Sequence, residues 1–188
     1  MQINMPVTNV EYSLKDSDSI VSKTDLKGLI TYINEDFLRV SGFTKAELIG
    51  SPHNIVRHPD MPPEAFADLW KALKANRPWT GLVKNRCKNG DFYWVLANVT
   101  PFYENDQLAG YISVRSKPSR EQVNAADTAY QMFKEGKAGN LKIQNGKIVS
   151  STFLEKLNPF KCLAIKCRLI NVIGLLSVIV LPIFQTTA

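Results

Sequence analysis

The residues with the clearest chemical potential lie in one run, Asn54-Ile55-Val56-Arg57-His58-Pro59-Asp60-Met61-Pro62, which holds one of the chain's two histidines; the other, His53, directly precedes it. Arg57 and His58 stand just ahead of Pro62, a residue that opens helices. A guanidinium fork beside a helix N-terminus suits a phosphate, and Asp60 is placed to cap that helix and orient Arg57. The competing reading is a surface pair of Arg57 with Asp60, worth at most about 1 kcal/mol. A metal centre would want a further Cys, His or acid at ligand spacing, and only Asp60 stands near. A haem would need one axial His in an apolar pocket, so His53 and His58 keep a haem reading open.

A second set is aromatic and amide-bearing. Trp70, Trp79, Phe92, Tyr93, Trp94 and Phe102 can serve as core and sheet packing. With Asn34, Asn85 and Asn98 near the same sheet, they also suit a flat polar ligand. Such a ligand needs apolar walls for its rings, and Asn side chains supply both a donor and an acceptor to its polar edge.

Enzyme signatures are mostly missing: there is no GxGxxG after a strand, no P-loop, no GxSxG and no HExxH. Catalytic turnover is therefore not expected, and no metal site is assigned. Cys87, Cys162 and Cys167 form no CxxC pair or disulfide framework and read as free thiols in a reducing compartment.

The elements that must position these residues follow from turn and cap chemistry. Residues 1–19 are polar and irregular and read as a mobile N-terminal cap. Ile20–Thr24 and Leu29–Ile33 are short β-rich runs joined by Asp25-Leu26-Lys27-Gly28. Asn34 before Glu35 and Asp36 is a helix N-cap signature, and Thr44-Lys45-Ala46-Glu47 is a capping box. Phe66, Leu69, Trp70 and Leu73 form the stripe of a longer helix that ends near Asn76. Three strands follow, Thr80–Cys87, Phe92–Tyr103 and Leu108–Arg115, the first two joined through Asn89-Gly90, a strong hairpin signal. This order predicts an α+β domain over residues 20–117, a five-stranded antiparallel sheet with short helices on one face. Ser119-Arg120-Glu121-Gln122 caps a connecting helix within residues 118–136. Lys142–Ile148 suggests a small hairpin.

The net charge of +6 is concentrated late in the chain. From residue 140 onward Lys142, Lys147, Lys156, Lys161, Lys166 and Arg168 face Glu155 alone, giving residues 137–168 the character of a basic juxtamembrane segment. Residues 169–188 carry no charge and meet the length of about 20 mostly apolar residues that a spanning helix needs. Basic residues beside an apolar span predict a cytoplasmic flank and contact with membrane lipid rather than nucleic acid. Residues 1–20 do not resemble a signal peptide. The expected location is the inner membrane, with the folded domain facing the cytoplasm.

Thr24-Asp25-Leu26, Leu29–Asn34, Val40-Ser41-Gly42-Phe43, Glu47-Leu48-Ile49-Gly50, the Pro52–Pro62 run and Trp79–Val95 together resemble the PAS domain of the bacterial aerotaxis receptors, over about residues 18–120. The Tyr93-Trp94-Val95 ending is common to many PAS domains; the Val56–Pro62 run is more specific to the aerotaxis type. The resemblance implies a PAS fold that binds FAD non-covalently and senses redox or oxygen state, with electron-transport components as input to aerotaxis and chemotaxis signalling. It implies Arg57, His58 and Asp60 as the polar group required for FAD. Asn34 and Asn85 would bond the flavin edge, and Trp79 and Phe66 would line the pocket. The photoactive relatives carry a cysteine where Asn54-Ile55-Val56-Arg57 stands here, so adduct photochemistry is not expected. No HAMP module follows Ala188, so the chain reads as a truncated or stand-alone sensor; a homodimer is expected, with a HAMP or chemotaxis signalling module as a candidate partner in trans. A haem-type gas sensor on the same fold and a ligand-free interaction module remain the alternatives.

Overall fold

The structure is a computed structural model and describes residues 4–150. Its centre is a five-stranded antiparallel sheet of β1 (Ile20–Thr24), β2 (Ile30–Ile33), β3 (Trp79–Arg86), β4 (Phe92–Glu104) and β5 (Gln107–Ser116). The spatial order is β2-β1-β5-β4-β3, so the first strand is paired to the last, with Ile20 opposite Arg115 and Thr24 opposite Tyr111. Between β2 and β3 lie α1 (Glu35–Ser41), α2 (Lys45–Leu48), a 3-10 turn at His53–Val56 and α3 (Pro63–Lys74). After the sheet come α4 (Arg120–Lys134) and a hairpin of β6 (Leu141–Gln144) and β7 (Lys147–Ser150).

The caps explain why the helices start and stop where they do. Asn34 accepts the Phe37 amide, and Gly42 closes α1 in a left-handed conformation that a side chain would strain. Thr44 and Glu47 form a reciprocal capping box on α2. Ser119 and Gln122 do the same for α4.

Alternation along the strands divides the sheet into two faces. Tyr93, Val95, Ala97 and Val99 point toward α1–α3, where Phe37, Val40, Leu48, Met61 and Leu73 complete the main core. The opposite face is not left to water. Helix α4 packs there: Tyr130 stacks on Trp94 at 6.1 Å between ring centroids and donates its hydroxyl to the Leu82 carbonyl at 2.8 Å. Helices thus flank both faces, where the sequence led us to expect the short helices on one and left the connecting helix unplaced.

The N-terminal segment is strapped down rather than loose. Thr8 and Tyr12 donate backbone N–H groups to Gly90 and Phe92, and Phe92 donates back to Val10. Arg86 holds the carbonyls of Met5 and Pro6. Among the described residues no helix is long and apolar enough to cross a membrane. The expected transmembrane segment, 169–188, lies outside the described residues.

Candidate functional site

The site is a cavity of about 210 Å³ between the inner face of the sheet and the α3 side of the domain. Its floor comes from all of the long strands: Ser22 and Thr24, Val83 and Asn85, Ala97 and Val99, then Tyr111, Ser113 and Arg115. Helix α3 supplies one wall with Phe66, Leu69, Trp70 and Leu73, the same four residues whose spacing marks its apolar stripe. The 3-10 turn supplies another with His53, Asn54 and Arg57, and the exposed residues Lys27 and Pro52 lie at the rim.

The walls are apolar, but the polar atoms among them are under-supplied. Arg57 Nε, Ser113 Oγ, Arg115 Nη1 and the Tyr93 hydroxyl are buried without a hydrogen-bond partner. An unpaired buried polar group costs about 1–3 kcal/mol, and three of these four belong to residues that line the cavity. All four can donate. The cavity is therefore complementary to a flat, acceptor-rich molecule, with Asn85 able to give and take at the same edge.

Two cations frame this space differently. The Arg57 guanidinium carbon lies over the Phe66 ring, 3.4 Å from its centroid, and the pKa of the group is lowered by burial. Arg115 is 5 % exposed, has no carboxylate partner among the described residues and faces the Phe37 ring at 5.4 Å. Burial pulls its pKa down to about 10, which still leaves it charged at neutral pH. Its Nη2 donates to Ser22 Oγ at 3.1 Å and reaches His53 Nε2 at 2.7 Å. Burial first, then the charge of Arg115, holds His53 down to about 3, so the imidazole is neutral.

Of the residues singled out in the sequence, His53, Arg57, Phe66, Trp70 and Asn85 meet in this cavity. Asn34, His58, Asp60 and Trp79 stand apart from it. Asn34 Oδ1 accepts from the amides of Val21 and Phe37 and its Nδ2 donates to the Ser19 carbonyl, which consumes the side chain in joining β1 to α1. Arg57 and Asn85 form an antiparallel bridge, so the chain is extended there and neighbouring side chains point to opposite sides. Arg57 faces the cavity; His58 turns away, 4 % exposed, against the edge of Phe92. His58 Nδ1 accepts the Asp60 amide at 3.1 Å, and burial first holds its pKa down to about 4.

Asp60 belongs with His58 to a separate ionic cluster. Its carboxylate takes Lys84 Nζ at 2.9 Å and Lys134 Nζ at 2.6 Å, tying the start of α3 to β3 and to the last turn of α4. Although burial opposes it, these two ammonium groups hold Asp60 down to about 2. Trp79 opens β3 and donates Nε1 to Asp68 on the cavity helix at 2.8 Å. Cys87 is also remote: it donates Sγ to the Val40 carbonyl, and burial pushes its thiol up to about 11.

Sequence reasoning missed Ser22, Ser113 and Arg115. The signal was available in part, because alternation from Tyr111 puts Ser113 and Arg115 on one face of a half-buried strand.

Comparison with known proteins accords with this architecture. Residues 30–115 match the PAS fold family. The chain is 44% identical over 151 residues to the aerotaxis receptor of Escherichia coli (strain K12), covering 80% of this chain and 30% of that receptor. It is 31% identical over 96 residues to the nitrogen fixation regulatory protein of Klebsiella pneumoniae, covering 50% of this chain and 19% of that protein. A light-oxygen-voltage domain studied with a flavin analogue superposes with a TM-score of 0.50 at 20% identity, over 63% of this chain and 86% of that one, a likeness of fold alone. The chain thus spans less than a third of the receptor it matches. The sheet order, the family match and the identity agree: this chain carries a PAS domain, and that domain is similar to the one in the aerotaxis receptor of Escherichia coli.

Proposed function

We propose that the domain binds a flavin, FAD in the first instance, and serves as a non-enzymatic redox sensor for a chemotaxis signalling module. The observation that carries this reading is the set of unpartnered donors on Arg57, Ser113 and Arg115 around a ring-lined cavity. At about 210 Å³ the cavity is smaller than the roughly 300–1,000 Å³ of pockets that enclose a drug-sized ligand. It suits a ring system, with the rest of a nucleotide running out past Asn54, Arg57 and Lys27. Trp70 and Phe66 would flank the ring, Asn85 and Arg115 would meet its carbonyl edge, and Arg57 would meet a diphosphate leaving the cavity.

A bound flavin supplies a heterocycle whose N5 changes from hydrogen-bond acceptor to donor on reduction. An amide such as that of Asn85 can rotate to answer either pattern, which gives the two states different contacts, as any population shift requires. The name of the Escherichia coli relative, an aerotaxis receptor, supports the sensory role. The flavin analogue used with the light-oxygen-voltage domain supports the class of ligand. Cys87 lies away from the cavity and is held protonated, which argues against a thiol adduct. A haem fits the residues less well. An iron would have to displace Arg115 from His53 Nε2, and His58 faces away from the cavity.

Membrane anchoring through residues 169–188, a cytoplasmic domain, a homodimer and electron-transport input belong to the same proposal and rest on the sequence and the resemblance. The test is to offer FAD to the purified full chain in detergent, record its visible spectrum, and add dithionite. A retained yellow chromophore that bleaches and recovers in air supports the reading; a colourless protein overturns it.

A further inference from the structure

One carboxylate outside the cavity makes an unusual set of bonds. Asp68 sits on α3 among the residues that form the cavity wall, but it points the other way. Its Oδ2 accepts Trp79 Nε1 at 2.8 Å and the Gly146 amide at 2.7 Å, and its Oδ1 accepts the Asn145 amide at 3.0 Å. Asn145 and Gly146 are the two central residues of the β6–β7 hairpin, with φ of 50° and 72°. Two successive left-handed residues make the tight turn that suits a two-residue hairpin. They also turn both N–H groups to one side, a ready cradle for an anion. Asp68 occupies that cradle.

The seat is close-fitting. A Cβ at Gly146 would stand 1.9 Å from the Thr80 carbonyl oxygen, and one at Gly81 would meet the Trp79 ring. Ile143 and Ile148 pack against the main core from the hairpin side. The hairpin is therefore plugged onto α3 and the start of β3 by two hydrogen bonds from Asn145 and Gly146 to Asp68, by the close approach of Gly146 to Thr80 and Gly81, and by two isoleucines.

We propose that this hairpin is a docked plug whose release is coupled to the cavity, with Asp68 as the latch. Helix α3 carries both ends of the coupling: Phe66, Leu69, Trp70 and Leu73 face the cavity, and Asp68 faces the hairpin. A ligand state that shifts or tightens α3 changes the reach of Asp68, and a short bidentate contact of this kind is made or lost as a unit. The strand end at Ser150 is then held against α3 or released from it according to what the cavity contains. The choice of probe rests on the flavin reading above; the coupling itself does not.

Linkage makes the test reciprocal: whatever cavity occupancy does to the hairpin, the hairpin must do to affinity. The full chain is followed by hydrogen exchange of the amides from 141 to 150, with and without FAD, beside the FAD affinity of wild type, Asp68→Asn and Gly146→Ala. Gly146→Ala leaves the Asp68–Trp79 bond in place and guards against loss of α3 itself. The expected result is a change of hairpin exchange on FAD binding, faster exchange in both variants, and an affinity altered by about fivefold or more in each. FAD binding with hairpin exchange unmoved and variant affinities equal to wild type overturns the coupling and leaves the flavin reading intact. If FAD does not bind, the flavin reading fails, and the coupling is judged on Leu69→Ala, which removes a cavity-wall side chain from α3. Hairpin exchange faster than wild type in that variant supports the coupling, and exchange equal to wild type overturns it.

Discussion

Arg115 Nη2 and His53 Nε2 stand 2.7 Å apart, a contact in which the guanidinium can only donate and the imidazole can only accept. The proton of His53 is thereby assigned to Nδ1, and a second proton is opposed by both burial and the neighbouring charge. The ring is a fixed neutral partner that helps hold an otherwise uncompensated cation at the floor of the cavity.

This arrangement makes the domain acid-sensitive in a defined window. His53 and His58 are both held below the ordinary 6.5, to about 3 and about 4. The unfolded chain binds more protons than the folded one between pH 6.5 and those values, so stability falls as pH drops through that range. Asp60, with a folded pKa of about 2 against 3.8, adds a loss only at lower pH. Urea unfolding of the full chain at pH 7.5, 6, 5 and 4.5 (roughly spanning the window) is expected to show a declining midpoint. Each histidine contributes up to about 1.4 kcal/mol per pH unit, and His58→Gln is expected to flatten the slope by about one proton's worth.

Arg57 should discriminate ligands by their phosphates. Its guanidinium carbon lies over Phe66 with Nε unpartnered. A charge-assisted bond to a diphosphate is worth about 1.5–3 kcal/mol. Arg57→Ala is expected to weaken FAD about 10- to 100-fold and riboflavin, which has no phosphate, much less. Titration of the two ligands by flavin fluorescence reads the difference; equal losses would assign Arg57 to the ring instead.

Asn34 separates a structural role from a binding role. Its amide is fully engaged between Ser19, Val21 and Phe37. Asn34→Ala is expected to cost about 1–2 kcal/mol of unfolding free energy, the loss of a good N-cap, with FAD affinity unchanged in the folded protein. Denaturant melts beside ligand titration check both halves.

Much of this was legible in the chain because local chemistry decided it. Asn34, Thr44 and Ser119 announce helix starts by their own capping bonds, and Asn89-Gly90 announces the β3–β4 turn. The cavity was harder to read because its floor is assembled from far apart: Ser22 and Arg115 bond across 93 positions. No local pattern reports that β1 lies beside β5. The Arg57–Asp60 run was conspicuous, yet the extended backbone at Arg57 sends the next side chain to the opposite side of β3. Composition reveals the group of residues but not that alternation.

Asp60 is expected to act on α4 rather than on the ligand. It accepts from Lys84, whose side chain is 11% exposed, and from Lys134 of α4. Asp60→Asn should cost about 1 kcal/mol, between an exposed pair and a fully buried one, and raise amide exchange in α4. Exchange confined to the cavity wall would contradict this placement.

The central claim is that a flavin ring occupies the space above Ala97, Asn85 and Arg115. Ala97 is 2% exposed and lines the cavity floor, so Ala97→Leu fills that space without touching the ionic groups. The decisive measurement is the flavin content of the two purified full-length proteins after saturation with FAD and gel filtration, with circular dichroism to verify folding. The account predicts a stoichiometric yellow wild type and a folded, colourless variant. A colourless wild type, or equal flavin in both, would contradict it.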